Sequence, residues 1–282
     1  MAKPEWVAVF DFDGTCISHS RRSLCDVIRL NGGLTKWCRL MAKGMVEYYF
    51  SLIHDGNFTE EHGWKWLLDT IDLYIESHLT VSKMEKILQT VRLRDGVEDC
   101  LKMLRGRNIP VAIISYGFLQ FIEITLKVNK VSHFVDDIYG TKFKINKKGL
   151  VVGFEEKTVV LPERKGIFSK LFADKYGVAR ENILAVGDSS GDRELGFLKE
   201  NRFGITEDPR RKEELEKFMG TVAVTKTFDP VTEWFERKIE TPFSLPAESA
   251  DGIFCANSDC GKDGKICSDC GNFMPKIEKI GN

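Results

Sequence analysis

The sequence predicts an α/β protein: a doubly wound, mostly parallel sheet carrying an all-helical insertion and a small C-terminal cysteine module. Three observations carry this reading. Val7-Ala8-Val9-Phe10, Val111-Ala112-Ile113-Ile114 and Ile183-Leu184-Ala185-Val186 are continuous apolar runs, as in strands buried on both faces. Helical periodicity alternates with them from residue 95 onward, which favours right-handed βαβ crossovers. Between the first run and the rest, residues 21–92 show helical spacing and almost no strand pattern.

The first run leads into Asp11-Phe12-Asp13-Gly14-Thr15. Side chains at i and i+2 leave an extended strand on one side, so Asp11 and Asp13 pair at a strand tip, where open α/β sheets bind ligands. Gly14 permits a tight turn. Alone, the stretch is also readable as an acidic turn. A calcium loop is excluded, because Cys16 and Arg22 stand where that loop needs Gly and a bidentate Glu.

In the insertion, Leu24, Val27, Ile28 and Leu30 fit one helical face. Trp37, Leu40, Met41, Met45, Tyr48 and Tyr49 fit a second, and Trp64, Leu67, Leu68, Ile71, Leu73 and Ile75 a third. Gly32-Gly33, Asp55-Gly56-Asn57 and Thr80 mark breaks. The aromatic residues are read mostly as core rather than as a ligand box, with a minority able to line a pocket facing Asp11. Beyond the insertion come a helix after Asp95-Gly96, the Val111 strand, a helix over Phe118–Val128 and a short strand at Asp137–Tyr139. Residues Lys142–Phe154 read as a β-hairpin, a candidate flap. A helix opens at Lys165. The Ile183 strand runs into Gly187-Asp188-Ser189-Ser190-Gly191-Asp192. Further strands are expected at Phe203–Ile205 and Val222–Val224, with helices over Arg210–Phe218 and Val231–Arg237.

Composition narrows the function classes. A chain of 282 residues, 43% hydrophobic and 29% charged, has material for a core and no signature of disorder. Its formal net charge of −1 gives no electrostatic case for nucleic acid or an anionic membrane. No apolar run is long enough to span a bilayer, and the first strand follows the N-terminus directly, so a cytoplasmic location is expected. Cys16, Cys25, Cys38 and Cys100 are scattered and read as free thiols. Cys255, Cys260, Cys267 and Cys270 crowd one segment and suit a tetrahedral, structural Zn²⁺. That segment, 251–276, reads as a zinc-ribbon-like module, reached by a linker at 241–250. It is too short for a core of its own and could serve a protein partner.

The tips of three parallel strands converge at one edge of a sheet. Asp11, Asp13, Asp188 and Asp192 would therefore cluster, and several carboxylates together need a cation. Mg²⁺, a hard ion that shares its shell with phosphate oxygens, is the natural choice. Ser115, Gly117 and Lys165 would complete a phosphate cradle.

These four pieces, Asp11-Phe12-Asp13-Gly14-Thr15, Ser115, Lys165 and Gly187–Asp192, resemble in order and spacing the four motifs of the haloacid dehalogenase-like (HAD-like) hydrolases. The insertion and hairpin resemble those of the phosphoserine phosphatase-like branch, in which such an insertion is a helical cap. The implied domains are a HAD-like Rossmannoid core over 1–16 and 95–240, and a cap over 17–94. The resemblance implies a phosphatase acting on a small phosphorylated metabolite. Asp11 is then the nucleophile that forms an aspartyl-phosphate, and Asp13 the general acid and base. Asp11, the Asp13 carbonyl and Asp188 hold Mg²⁺, Asp192 orders its waters, and Ser115 and Lys165 bind the phosphoryl group. A phosphotransferase with the same intermediate, or a scaffold acting through the ribbon, are the alternatives. Ser20 stands where phosphoserine phosphatases carry a substrate-gripping Glu. His19, Ser20, Arg21 and Tyr116 are candidates for the substrate pocket.

Overall fold

A computed structural model describes residues 3–18, 23–54 and 57–240. The expected pocket residues His19, Ser20 and Arg21, the break at Asp55-Gly56, the linker at 241–250 and the four clustered cysteines Cys255, Cys260, Cys267 and Cys270 lie outside the described residues. Met1–Glu240 form one compact unit that holds both the sheet and the helical insertion.

The sheet has six parallel strands in the order β3-β2-β1-β6-β7-β8. These are β1 (Val7–Phe10), β2 (Val111–Phe118), β3 (Asp137–Thr141), β6 (Ile183–Gly187), β7 (Arg202–Thr206) and β8 (Thr221–Val224). β1 lies between β2 and β6, with Phe10 level with Ile113 on one side and Val186 on the other. Its four residues are all buried, as the continuous apolar run requires. Val7 and Val9 pack with Ile114, Ala185 and Phe172 on one face. Phe10 meets Phe228 and Phe235 on the other, at centroid distances of 6.0 and 5.5 Å. Helices cover both faces, so the strand tips are the exposed working edge of the sheet.

Helices α1 (Leu24–Ile28), α2 (Lys36–His54), α3 (Glu60–Glu76) and α4 (Val81–Leu88) lie between β1 and the remaining strands. Breaks fall where turn chemistry placed them. Gly32 has a φ of 94°, within a kinked turn over Arg29–Gly33, and Thr80 caps α4 by accepting the Lys83 amide. Helix α5 (Val97–Gly106) then leads to β2.

The sidedness of α2 departs from expectation. Trp37, Leu40, Met41 and Tyr48 face solvent, between 50% and 63% exposed, whereas Cys38, Ala42 and Tyr49 are buried. Periodicity marks an apolar stripe without saying which stripe is covered, and here the covered one runs through Cys38, Ala42 and Tyr49. On α3 the buried set is Gly63, Leu67, Ile71 and Tyr74, while Leu68 is exposed.

The expected hairpin forms from β4 (Phe143–Ile145) and β5 (Val151–Phe154). It acts as a brace rather than a free flap. The Val81 amide donates to the Gly149 carbonyl at 3.0 Å and the Val151 amide to that of Leu79 at 2.9 Å. Phe143 stacks on Phe118 at 4.3 Å and meets Tyr74 edge-on at 5.9 Å, joining hairpin, sheet and insertion in one aromatic cluster. Helix α6 (Leu119–Val128) follows β2, and α7 (Lys165–Tyr176) precedes β6. Where one helix was expected over Arg210–Phe218 there is a 3₁₀ turn, Pro209–Arg211, and a short α8, Lys212–Glu216. Asp208 caps that turn and Pro209 opens it, so the helix starts late. The chain closes on the sheet with α9, Asp229–Glu240.

Candidate active site

The tips of β1, β2 and β6 bring the predicted residues together. Asp11 follows β1, Ser115 lies at the end of the regular part of β2, and Asp188 follows β6. Lys165 opens α7 and points back under the sheet edge. Its Nζ donates to Asp11 Oδ1 and to Asp192 Oδ1, both at 2.6 Å. All five residues are buried. A lysine flanked by Glu163 and Arg164 would ordinarily be solvated. Its burial between two carboxylates marks a functional group.

Asp192 is held by its own loop. Its Oδ2 accepts the amides of Asp188 and Ser189 at 3.0 Å each and the Ser189 hydroxyl at 2.9 Å. Gly187 makes room for this turn, since a Cβ there would sit 2.3 Å from the Asp192 Cβ. Thr15 Oγ1 donates to Asp188 Oδ1 at 3.4 Å, tying the loop after β1 to the loop after β6. Asp13 turns toward the insertion, and its Oδ1 accepts the Leu24 amide at the start of α1 at 2.8 Å. Gly117 lies close by, where an added Cβ would be 3.4 Å from Asp13 Oδ2 and 3.3 Å from Ser115 Oγ. The Gly117 amide donates to Ser115 Oγ at 3.1 Å. Substitution at Gly117 would crowd the space between these two groups.

The electrostatics follow from burial. Desolvation pushes the Asp11 carboxyl well above its ordinary value. The Lys165 cation opposes this, and Asp192 and Asp188 add to it. Asp13 is raised to about 6, chiefly by burial, with the Leu24 amide opposing. Burial works against the Lys165 ammonium, but Asp11 and Asp192 outweigh it and hold its pKa above that of an ordinary lysine.

Asp11, Asp188 and Asp192 each offer an oxygen within 4.8 Å of the others. A buried set of hard oxygen donors with excess negative charge fits Mg²⁺. The cation would offset the burial and the repulsion from Asp192 and Asp188 that raise Asp11.

On the insertion side, Tyr116 donates its hydroxyl to the Gly63 carbonyl on α3 at 2.7 Å. Its ring lies edge-on to Trp66 at 6.3 Å, and Trp66 stacks on Tyr49 at 5.1 Å. The residue directly after Ser115 thus joins the end of β2 to an aromatic wall on the insertion.

The pyrimidine 5'-nucleotidase (UMPH-1) family matches residues 17–202. The chain belongs to the UMPH-1 family. It is a HAD-like phosphatase, a phosphoric monoester hydrolase. It is 25% identical over 193 residues to a phosphoserine phosphatase of Methanocaldococcus jannaschii, covering 68% of this chain and 81% of that one. It is also 25% identical over 175 residues to the human 7-methylguanosine phosphate-specific 5'-nucleotidase, covering 56% and 55% of the two chains. In fold it is similar to cytosolic 5'-nucleotidase IIIB bound to cytidine, with a TM-score of 0.65 and 17% identity over 83% of this chain and 87% of that one. A phospho-aspartyl intermediate analogue of phosphoserine phosphatase gives a TM-score of 0.60 at 19% identity, covering 82% and 99%.

Two arginines of this UMPH-1 member were not legible as site residues. Arg211, on the turn after β7, donates from Nη2 to the Asp188 carbonyl at 2.8 Å, and its Nη1 lies 3.6 Å from Asp188 Oδ2. Arg94 lies beneath the loop that carries Asp13. An arginine in a polar loop has the sequence signature of a solvated charge. The one available signal was its position beside a strand end or at the end of the insertion.

Proposed function

We propose that the protein is a Mg²⁺-dependent 5'-nucleotidase that hydrolyses a nucleoside 5'-monophosphate through an aspartyl-phosphate. The observation that carries the chemistry is the buried Asp11–Lys165–Asp192 array, with both Lys165 contacts at 2.6 Å, at the tip of the central strand. Family membership and the Tyr116–Trp66 wall beside Ser115 support a nucleotide as the substrate class. A flat aromatic surface suits a base. The helical segment between β1 and β2 acts as the cap over this pocket.

In this mechanism an Asp11 oxygen attacks phosphorus and the bond from phosphorus to the nucleoside oxygen breaks. Asp13 delivers a proton to that leaving oxygen, and its pKa of about 6 keeps a protonated fraction near neutrality. Asp13 then takes a proton from water, whose oxygen attacks phosphorus. The bond to Asp11 breaks, inorganic phosphate leaves and the Asp11 carboxylate is restored. Lys165, the Ser115 hydroxyl and the Gly117 amide supply donors to the phosphoryl oxygens. Asp11, Asp188 and the Asp13 carbonyl would hold Mg²⁺, with Asp192 ordering its waters, and the cation would supply further neutralisation of phosphoryl charge.

The test is a panel of nucleoside 5'-monophosphates and O-phosphoserine, with Mg²⁺ and with EDTA. Hydrolysis of nucleotides in Mg²⁺ alone is expected. Preference for O-phosphoserine would overturn the substrate class. The four clustered cysteines are proposed to hold about one structural Zn²⁺ per chain. Metal analysis of protein purified with intact thiols and without added zinc checks that, and its absence refutes it. A cytoplasmic location is proposed, and no described helix is long and apolar enough to cross a membrane.

A further inference from the structure

Arg94 is 2% exposed and stands at the last step of the helical segment, before Asp95-Gly96 and α5. Three of its polar atoms are directed at the loop that follows the nucleophile. Nη2 donates to the Gly14 carbonyl at 2.8 Å and Nε to that of Thr15 at 3.0 Å. Its backbone amide donates to the Cys16 carbonyl at 2.8 Å. Three consecutive carbonyls directly after Asp13 are thus satisfied by one residue. On its other side, Nη1 donates to the Thr225 carbonyl at 3.1 Å and lies 3.2 Å from Glu207 Oε1. Glu207 also accepts the Ser18 hydroxyl.

Stability alone gives little reason for this arrangement. A buried ion pair roughly breaks even against apolar residues of similar volume. Turn carbonyls, by contrast, need partners, and a planar guanidinium fork holds two of them in a fixed relation. The geometry has a further consequence. Residues 14–18 are where the chain leaves the sheet for the helices, and Arg94 is where it returns. Arg94 therefore fastens the outgoing and returning chains to each other and to the ends of β7 and β8.

We propose that Arg94 is a positioning residue for phosphoryl transfer. It fixes the Gly14–Cys16 turn, and with it the stance of Asp13 toward the leaving oxygen, and it makes the root of the helical segment one rigid body with the sheet. The proposal rests on the phosphatase reading above. A wild-type protein inactive on every phosphomonoester would refute that reading. An active wild type whose folded Arg94 variants keep their turnover would refute this one alone.

The experiment measures kcat and KM for Arg94→Lys, Arg94→Met and Arg94→Met/Glu207→Gln. The substrates are the best nucleoside monophosphate and p-nitrophenyl phosphate, with the folded fraction of each variant measured by its melting transition. The double variant leaves no unpaired carboxylate, and Arg94→Lys keeps the cation, so a failure of Arg94→Met to fold does not decide the outcome. The expected result is a fall in kcat of about 100-fold in the double variant on both substrates, with KM within about threefold. Arg94→Lys, which reaches fewer carbonyls, is expected to recover about a tenth of wild-type kcat. A merely structural role would lower the melting temperature and leave kcat per folded molecule unchanged, and that result would overturn the proposal. A loss confined to KM would overturn it equally.

Discussion

The strand tips and the helical segment between β1 and β2 treat their polar and apolar groups in opposite ways. At the tips, the charged side chains Asp11, Lys165, Asp188 and Asp192 are buried and each has a partner. Lys165 lies between two carboxylates, Asp192 accepts three donors on one oxygen, and Arg211 reaches Asp188. On α2 the large apolar side chains Trp37, Leu40 and Met41 lie in solvent. The difference separates two tasks. Phosphoryl transfer needs groups whose positions are over-determined. Among the described residues, the helical segment reaches that edge through the Leu24 amide on Asp13, the Gly63 carbonyl and Trp66 ring on Tyr116, and Arg94 at its root.

The largest effect that sharpens this contrast is expected at Lys165. Lys165→Met removes the cation from two buried carboxylates, and kcat should fall by about 1,000-fold or more while the protein still binds Mg²⁺. Steady-state kinetics with a melting curve check this, and activity near wild type would show that the array is only structural. A smaller effect is expected at Arg211. Arg211→Ala frees Asp188 from its anchor, so the Mg²⁺ concentration for half-maximal activity should rise by about 10-fold, read from metal titrations of activity.

Tyr116 tests the junction between the two regions. Tyr116→Phe keeps the ring and removes the bond to Gly63. KM for a nucleotide should rise a few-fold, with kcat for p-nitrophenyl phosphate unchanged. A collapse of kcat on both substrates would move Tyr116 into the chemistry.

A pH experiment tests the burial of the acids. A carboxyl whose folded pKa is raised favours the protonated native state. Its contribution is present below the ordinary value of about 4 and is lost as pH rises. For Asp13 that window closes near pH 6. Asp11 shifts in the same direction. In EDTA Asp13 should therefore cost stability between about pH 4 and 6, with Asp11 adding to the loss as pH rises, and Mg²⁺ should recover it at neutral pH, raising Tm by about 3 °C or more. An equal Mg²⁺ effect at pH 5 and 7.5 would contradict the assignment. The smallest effect is expected on α2, where Trp37→Ser should change stability by no more than about 0.5 kcal/mol by denaturant titration.

Legibility followed the same division. Asp11, Asp13, Ser115, Asp188 and Asp192 could be read because each stands at or near the end of a buried apolar run, and a parallel sheet brings such ends together. Lys165 was readable only in their company, since its own surroundings look solvated. Arg94 and Arg211 act through backbone carbonyls, and no pattern in a sequence records which carbonyls a fold leaves unpaired. The sidedness of α2 was missed because spacing locates a stripe, while Cys38 and Ala42, small enough for close packing, set the buried side. The late start of α8 followed from the Asp208-Pro209 cap, a local signal that the helical spacing of Arg210–Phe218 obscured.

The central claim is that Asp11 forms a bond to phosphorus. Rapid acid quenching during turnover of a nucleoside monophosphate carrying radiolabelled phosphate tests it most directly. The account predicts labelled protein whose label is released by hydroxylamine, maps to Asp11 and is absent in Asp11→Asn. Label on another residue, or an actively turning-over enzyme that traps no label at any quench time, would contradict it.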